Sequence, residues 1–181
     1  MTPALGVLLG TGDAMIDSMT TAPPPASAPA PFEPDFLAAL HTLFEERIAF
    51  NRVIGLRLDH IAADHVTGHL GMRPELIGHD LHQRLHGGVI SAALDAMAGV
   101  ATMAALGARH RDEPPEERMR RFAKLGTIDL RIDYLRPATG ARFDVRSDVL
   151  RLGSRVASTR MEMRDEAGKV LATGSAAYIV S

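Results

Sequence analysis

One acidic side chain stands alone in the most apolar stretch of the sequence. Residues 86–106 read HGGVISAALDAMAGVATMAAL, and Asp95 is the only Asp, Glu, Lys or Arg among them. A carboxylate in apolar surroundings costs free energy unless it is paired, so its presence favours a chemical role as a general base or a nucleophile. The structural alternative is a carboxylate that joins a local hydrogen-bond network or pairs with an arginine. Its chemistry depends on the elements that surround it.

Histidines just before the apolar stretch raise the alternative of a metal site. His79, His82 and His86 would share one face of a continuous helix, a spacing that suits zinc. Ile77 and Gly78 before them, together with the glycine pair after them, favour a loop instead. We therefore expect no metal and no other cofactor, with these histidines exposed to solvent or placed around the site.

The pattern of apolar residues predicts which elements position Asp95. A helix that is apolar all round must be buried, and residues 86–106 predict such a helix. Residues 36–50 have helical spacing, and LRLDHIAA and HVTGHLGM alternate like two paired strands. After a polar loop, ARHRDEPPEERMRR, about four more strands are predicted, with turns at residues 152–154 and 165–168. This order predicts an α+β fold with an antiparallel sheet wrapped around the central helix.

Two of these elements resemble those of a known family. LHGGVISAALDAMAGVA resembles the signature of hotdog-fold acyl-CoA thioesterases of the phenylacetyl-CoA thioesterase type, a His-Gly-Gly with an aspartate nine positions after the histidine. GTIDLRIDYLRPA resembles the strand after the central helix in that family, with its hydroxyl residue, acidic residue, tyrosine and terminal proline. The resemblance covers residues 55–180 and implies a hotdog fold and hydrolysis of an acyl-CoA to the free acid and CoA.

The resemblance also assigns roles to individual residues. It implies that Asp95 acts as general base or nucleophile, and that the backbone N–H of Gly88, with Gly87 beside it, holds the oxyanion. The start of a helix suits that role, because its first N–H groups lack helical acceptors and glycine lets a ligand approach the backbone. Thr127 is expected to hold the attacking water or the carboxylate, and His86 to shape the turn. The residues expected to contact substrate are Gln83, His82, Met97, Val89 and Tyr134.

Two other functions are compatible with the same fold. A hotdog hydratase or dehydratase would carry an Asp-x4-His signature or a glutamate on the helix, but five residues separate Asp80 from His86 and the helix has Asp95 instead. A non-catalytic acyl-CoA-binding protein would keep the groove and lack turnover. Asp80 stands where relatives often carry an asparagine that assists catalysis. Gln83 or His82 is expected to take over the role of that asparagine.

Composition and charge define the expected partners. The net charge of −2 provides no basic field for nucleic acid or an anionic membrane, and no segment is expected to span a membrane. The resemblance implies an acyl-CoA substrate and a homodimer or dimer of dimers, in which the aspartate of one subunit faces the glycine turn of the other. A set of arginines is expected either to bind the CoA phosphates or to lie in a solvated loop: Arg109, Arg111, Arg118, Arg120 and Arg121.

The N-terminal part of the sequence differs from the rest in composition. Residues 20–34 read TTAPPPASAPAPFEP, and this Pro/Ala tract predicts that residues 1–33 form a disordered tail before one domain at residues 34–181. Residues 4–9 are apolar, but no Lys or Arg precedes them, so a signal peptide is not expected. The absence of cysteine fits a reducing compartment, and we expect a cytoplasmic protein.

Overall fold

Four helices and eight strands make up the computed structural model, which describes residues 32–181. The helices are α1 (Pro34–His41), α2 (Ala49–Ile54), α3 (Gly87–Arg109) and α4 (Pro115–Arg120). The strands are β1 (Arg57–Ile61), β2 (His65–Gly71), β3 (Ile77–His79), β4 (Arg84–Leu85), β5 (Gly126–Tyr134), β6 (Arg142–Leu152), β7 (Val156–Asp165) and β8 (Val170–Ile179).

Six of these strands form one antiparallel sheet in the order β1-β2-β6-β7-β8-β5. Helix α3 packs against β2, β5, β6, β7 and β8, so the sheet surrounds it as the sequence predicted. Strands β3 and β4 form a separate short hairpin immediately before α3. Strand β5 pairs only with β8 within the described chain, which leaves its other edge open.

The small side chains of α3 allow close packing in the core. Ala93, Ala98 and Ala101 are fully buried. Gly68 on β2 faces Met97, and a Cβ at that glycine would lie 3.1 Å from the methionine sulfur and 2.3 Å from a backbone oxygen of β1. By length and composition α3 is apolar enough to cross a membrane, but 72% of its most apolar window is buried within the protein. That burial is the pattern of a core helix.

The predicted turns between the C-terminal strands are confirmed. The long alternating segment divides between β6, which ends at Leu152, and β7, which begins at Val156. At Gly153 a Cβ would lie 2.7 Å from the Val156 carbonyl oxygen, so the turn requires glycine. The second turn contains Gly168 at a φ of +77°, a left-handed conformation that glycine adopts without strain.

The N-terminal helix is interrupted, whereas the sequence predicted one continuous helix. A π-helical turn at Thr42–Arg47 follows α1, and Ile48 is extended before α2 begins. The buried Asn51 side chain donates to the Phe44 carbonyl oxygen at 2.9 Å. In a continuous helix that oxygen would accept from a backbone N–H, so the Asn51 side chain replaces the hydrogen bond that the break removes. This interruption places Phe44 and Ile48 against the cavity described below.

Two segments predicted as loops contain short regular elements. Residues 77–79 pair with Arg84–Leu85 as the β3–β4 hairpin, whose strands are too short to show an alternating pattern in the sequence. Helix α4 lies within the polar segment, where Pro115 occupies the first turn with Glu116 and Glu117, and arginines occupy the last turn. These positions suit a short helix, because proline and acidic residues are favoured at the N-terminus and basic residues at the C-terminus.

Most of the predicted disordered tail, residues 1–31, lies outside the described residues. Phe32 and Glu33 are packed onto the domain instead. Phe32 is 7% exposed and stacks at 5.2 Å on Phe36, and Glu33 pairs with the fully buried guanidinium of Arg118. Arg118 also lies 4.3 Å over the Phe36 ring. Within the described residues, packing onto the domain thus includes Phe32 and Glu33, which precede the predicted boundary at residue 34.

Candidate active site

Asp95 lies within a small network of hydroxyl groups. The Thr127 hydroxyl donates to Asp95 Oδ1 at 2.9 Å, and the Tyr178 hydroxyl lies 2.6 Å from the same oxygen. The Tyr178 hydroxyl also lies 2.8 Å from the Asp95 backbone oxygen. Its single proton therefore has two possible acceptors, and both belong to Asp95. Charge-assisted hydrogen bonds of this kind are stronger than neutral ones and hold the carboxylate in one orientation.

Three separate elements bring these side chains together. Asp95 lies about two turns into α3, Thr127 is near the start of β5, and Tyr178 is near the end of β8. Thr127 and Tyr178 are direct partners across the β5–β8 ladder. Because directly opposed residues on neighbouring strands have adjacent side chains, the sheet presents two hydroxyls as one pair to the helix.

The second carboxylate oxygen of Asp95 is free to react. Both side-chain hydrogen bonds reach Oδ1, and no donor within residues 32–181 bonds to Oδ2. Nor does any ion pair among residues 32–181 include Asp95. Within the described chain, Asp95 is therefore not paired with an arginine, which was the structural alternative.

Tyr178 is a permanent donor in this network. Burial raises the pKa of the Tyr178 phenol, and the adjacent Asp95 carboxylate raises it further. The phenol therefore stays protonated over the working range of an enzyme. It can hold the carboxylate in place and cannot serve as a base.

A cavity of about 240 Å³ opens beside Asp95, and we call it the Asp95 cavity. On the helix side, small residues follow the helical repeat and leave room next to the carboxylate. At Gly99, one turn beyond Asp95, an added Cβ would meet nothing closer than Leu125 at 3.9 Å. The lining residues are Phe44, Ile48, Phe50, Asn51, Ala92, Asp95, Ala96, Gly99, Phe122, Leu125, Gly126, Thr127 and Tyr178.

The glycine turn lies at the start of the same helix, next to a different cavity. His86 is the N-cap of α3, and its Nδ1 accepts from the Gly88 N–H at 2.8 Å. This hydrogen bond agrees with the expectation that His86 shapes the turn. It also engages the Gly88 N–H, the donor that was predicted to bind the oxyanion. The Gly87 N–H makes no hydrogen bond to an acceptor within residues 32–181. Gly87, rather than Gly88, thus presents the free amide in this conformation.

The turn and the carboxylate of one chain are well separated. Asp95 is eight positions after Gly87, which corresponds to about 12 Å along an α-helix. The cavity next to the turn has a volume of about 310 Å³ and is lined by His86, Gly87, Tyr134 and Arg136, and Asp95 is not in its wall. Within one chain, the two predicted halves of the site therefore belong to different cavities.

The residues predicted to contact substrate are distributed unevenly. The Tyr134 hydroxyl donates to the Gly87 carbonyl oxygen at 3.1 Å, which places it at the turn. Val89 is half-buried in the first turn of α3, and His82 and Gln83 are exposed before it. Met97 is fully buried on the sheet-facing side of α3 and lines none of the described cavities, because that face of the helix packs against Gly68.

Gln83 and its neighbours form an unusual turn before the helix. Gln83 has a φ of 45°, the only positive value at a non-glycine residue within residues 32–181. Its side-chain amide donates to the Asp80 carbonyl oxygen at 2.7 Å, which ties the turn together locally. His79 and His82 stack at 4.7 Å, and the described residues include no group of three or more His, Asp or Glu arranged for a metal ion.

Four of the five arginines considered for CoA phosphates are engaged within the chain. Arg109 donates to the carbonyl oxygens of Gly153 and Leu152. Arg118 pairs with Glu33, Arg120 with Glu117, and Arg121 with Glu113. Arg111 is exposed. These contacts favour roles in holding the loop after α3 over recognition of phosphate.

Tyr178 is the functional residue that sequence reasoning missed. It lies 83 positions from Asp95, near the C-terminus, and its strand YIV looks like any other alternating segment. One signal was present, since Tyr178 is one of only two tyrosines in the chain. A buried tyrosine hydroxyl usually has a hydrogen-bond partner, so a search for that partner would have led to the carboxylate.

Comparison with known proteins identifies the family of the chain. Residues 82–172 match the model of the thioesterase superfamily. The chain is 36% identical over 138 residues to the medium/long-chain acyl-CoA thioesterase YigI of Escherichia coli, which covers 76% of this chain and 89% of that protein. The corresponding protein of Salmonella typhimurium is 37% identical over the same length.

Solved structures agree with the sequence relatives. A protein from Shewanella oneidensis, described as related to the thioesterase superfamily, superposes with a TM-score of 0.78 at 38% identity, over 84% of this chain and 99% of that one. A candidate thioesterase from Syntrophus aciditrophicus superposes with a TM-score of 0.72 at 34% identity, over 81% of this chain and 97% of that one. The predicted hotdog architecture is confirmed, and the chain belongs to the thioesterase superfamily.

Proposed function

We propose that this protein is an acyl-CoA thioesterase in which Asp95 is the catalytic carboxylate. The observation that carries the proposal is the arrangement of that side chain, with Thr127 and Tyr178 on one oxygen and the other oxygen open to a cavity. Membership of the thioesterase superfamily and the acyl-CoA thioesterase activity of the YigI relatives support the reaction class. The products are the free acid and CoA.

Two roles for Asp95 use the same geometry. As a general base, Oδ2 takes a proton from water while the water oxygen attacks the thioester carbonyl carbon. As a nucleophile, Oδ2 attacks that carbon directly, the C–S bond breaks, and CoA leaves as the thiolate, which takes a proton from water; a second water then hydrolyses the resulting anhydride. In both routes the Thr127 and Tyr178 hydroxyls bond to Oδ1, so Oδ2 is the oxygen that reacts. Single turnover in ¹⁸O-labelled water identifies the anhydride route if label enters the Asp95 side chain, which requires water to attack the aspartyl carbon of the anhydride.

The glycine turn supplies the oxyanion donors in this proposal. Amide donors aimed at a developing negative charge stabilise it without reorganising, and removal of one such donor costs on the order of 100-fold to 1000-fold in rate. The Gly87 N–H is free for this role, and the Gly88 N–H joins it when His86 Nδ1 releases it. The start of α3 adds the positive end of the helix dipole.

A second copy of the chain brings the two halves of the site together. Strand β5 has an open edge of nine residues, along which Ile128 is 57% exposed and Leu130 is 37% exposed. A long edge strand that exposes apolar side chains is an aggregation-prone surface unless another strand covers it. We infer that β5 pairs with β5 of the partner, so that the Asp95 of one subunit faces the glycine turn of the other. Thr127, which is exposed in the single chain, would then be covered.

Medium- and long-chain acyl-CoA esters are the proposed substrates. The name of the YigI relatives supports this class, and the aromatic and aliphatic walls of the Asp95 cavity suit an acyl chain. No metal or organic cofactor is required by this mechanism. A cytoplasmic location stays a prediction, which fractionation of cells expressing the full chain would test.

The test is a thiol-release assay over a panel of acyl-CoA esters. Asp95→Asn keeps an acceptor for Thr127 and Tyr178 and removes the charge, so kcat is expected to fall on the order of 100-fold to 10,000-fold. Asp112→Asn, an exposed acidic residue in the loop after α3, is the matched control and should leave the rate unchanged. If Asp95→Asn hydrolyses the panel as fast as wild type, the assignment is wrong.

A further inference from the structure

The Asp95 cavity is small for the substrate proposed. Its volume of about 240 Å³ lies below the range of roughly 300–1000 Å³ that is usual for small-molecule sites. Beyond its far wall lies a larger apolar depression of about 640 Å³, between α1 with its following π-helical turn and α4. We call this depression the α1–α4 groove, and its apolar wall is formed by Ala38, Ala39, Leu43, Met119, Phe122 and Ala123.

Phe122 belongs to the walls of both the cavity and the groove. Its ring packs edge-on against Phe44, with centroids 5.4 Å apart and planes at 81°. Phe44 is buried and faces the Asp95 cavity, while its neighbour Leu43 faces the groove. A pair of aromatic rings is thus the partition between the two spaces.

The helix leads from the carboxylate to this partition. Gly99 lies one turn beyond Asp95 on the same face of α3, since residues four apart are neighbours on a helix. An added Cβ at Gly99 would make ordinary van der Waals contact with Phe44 at 4.0 Å and with Leu125 at 3.9 Å, so the glycine leaves methyl-sized room along the path toward the rings. An acyl chain whose carbonyl lies at Asp95 would follow this path to Phe122.

We propose that the α1–α4 groove binds the distal part of the acyl chain and that Phe122 determines how much of the chain reaches it. This inference rests on the proposed function, because it uses Asp95 as the position of the thioester. The groove suits an acyl chain rather than the CoA portion because most of its lining is apolar. Its four charged residues are two acidic and two basic, so they provide no net positive charge for the CoA phosphates: Asp35, Arg47, Glu116 and Arg120. A short acyl chain ends inside the Asp95 cavity and does not need the groove.

The experiment measures binding separately from turnover. In the Asp95→Asn background, Kd is measured for butanoyl-CoA and dodecanoyl-CoA by calorimetry. Ala39→Trp fills the groove from α1 without touching the Asp95 cavity, and Ala123→Trp fills it from the opposite wall. Because each buried methylene contributes roughly fourfold in affinity, both variants should weaken dodecanoyl-CoA binding at least about tenfold and leave butanoyl-CoA binding unchanged.

Phe122→Ala tests the partition in the opposite direction. Its removal should raise the ratio of dodecanoyl-CoA to butanoyl-CoA affinity, since the passage between the two spaces widens. Leu150→Ala, which truncates an exposed leucine on β6 outside every described cavity, is the control and should not change the ratio. Circular dichroism and thermal unfolding establish that each variant is folded.

The outcomes separate the groove from the catalytic assignment. If Ala39→Trp and Ala123→Trp are folded and bind dodecanoyl-CoA as tightly as the parent, the proposal is wrong and the groove has another occupant, such as the apolar residues 4–9. If Asp95→Asn hydrolyses as fast as the wild type, the role of Asp95 fails, and the groove is then tested with S-dodecyl-CoA, a thioether that cannot be hydrolysed and that both tryptophan variants should bind more weakly than the parent. These two results come from independent measurements.

Discussion

The two ends of the predicted site on α3 differ in how completely one chain builds them. At Asp95 the carboxylate receives hydroxyls from β5 and β8, and a cavity opens at its free oxygen. At the glycine turn the Gly88 amide is satisfied by the side chain of its own N-cap, His86, and the adjoining cavity contains no acid. One chain thus holds a prepared carboxylate and, about 12 Å away along the helix axis, a separate set of amide donors.

This difference suggests what the open edge of β5 is for. The carboxylate half is held by long-range contacts across the sheet, so it is complete once the chain folds. The donor half is held by the His86 cap and by the Tyr134 hydroxyl on the Gly87 carbonyl oxygen, and in the proposed mechanism it needs an acid from another chain. Symmetric pairing of two chains is the simplest way to supply it, because a twofold interface brings each half to its complement twice.

The largest effect is expected from mixing two inactive variants. Gly87→Pro removes one amide donor while the helix start should survive, since proline is favoured at the first helical position and His86, with φ −64° and ψ 135°, is already suited to precede it. Alone, Gly87→Pro and Asp95→Asn should each lose on the order of 100-fold or more.

Coexpressed, these two variants should recover about a quarter of the wild-type rate, since half of the random dimers are mixed and each carries one intact site. The measurement is thiol release from purified mixed protein. A mixture that stays as inactive as its components would mean that each site lies within one chain.

A charge on the open strand should separate the subunits. Leu130→Asp places a carboxylate on the β5 edge, where charged residues prevent strand pairing, so the protein should become monomeric and lose about 100-fold or more in kcat/KM. Leu150→Asp makes the same change on an exposed leucine of β6 and should alter neither property. Light scattering with parallel assays checks both. A monomeric Leu130→Asp with full activity would show that one chain suffices.

The same substitution at the two tyrosines compares the ends of the site directly. Tyr178→Phe removes a buried donor to a charged group and should lower kcat about 10- to 100-fold with KM little changed, because the residue positions Asp95 and does not hold substrate. Tyr134→Phe removes an exposed hydrogen bond to the Gly87 carbonyl oxygen and should cost less in kcat. Steady-state kinetics would contradict this order if Tyr134→Phe were the slower enzyme.

The smallest effect concerns the helix cap. His86→Ala removes the acceptor of the Gly88 N–H and should lower the free energy of unfolding by about 1 kcal/mol, as for other lost N-caps. His82→Ala, at an exposed position in the preceding turn, is the control. Urea unfolding followed by circular dichroism gives both values. Equal stability of His86→Ala and wild type would mean that the cap contributes nothing.

Local sequence was sufficient to predict much of this molecule. The run of small apolar residues predicted α3 and its burial, because a helix without a polar face has no other place in a folded domain. Alternation and glycine positions predicted the strands and both C-terminal turns. Sequence could not predict the break in the first helix, because it depends on Asn51 bonding to Phe44 inside the folded core.

The sequence by itself determined the single carboxylate of the central helix, its spacing from the glycine turn and the hydroxyl of Thr127, because these are carried by residue type and by position along one helix and one strand. Only the tertiary structure decided that Tyr178 holds Asp95 and that Phe122 stands between two cavities. The physical reason is distance along the chain. Contacts between segments tens of residues apart depend on how the sheet closes around the helix, and no local pattern encodes that closure.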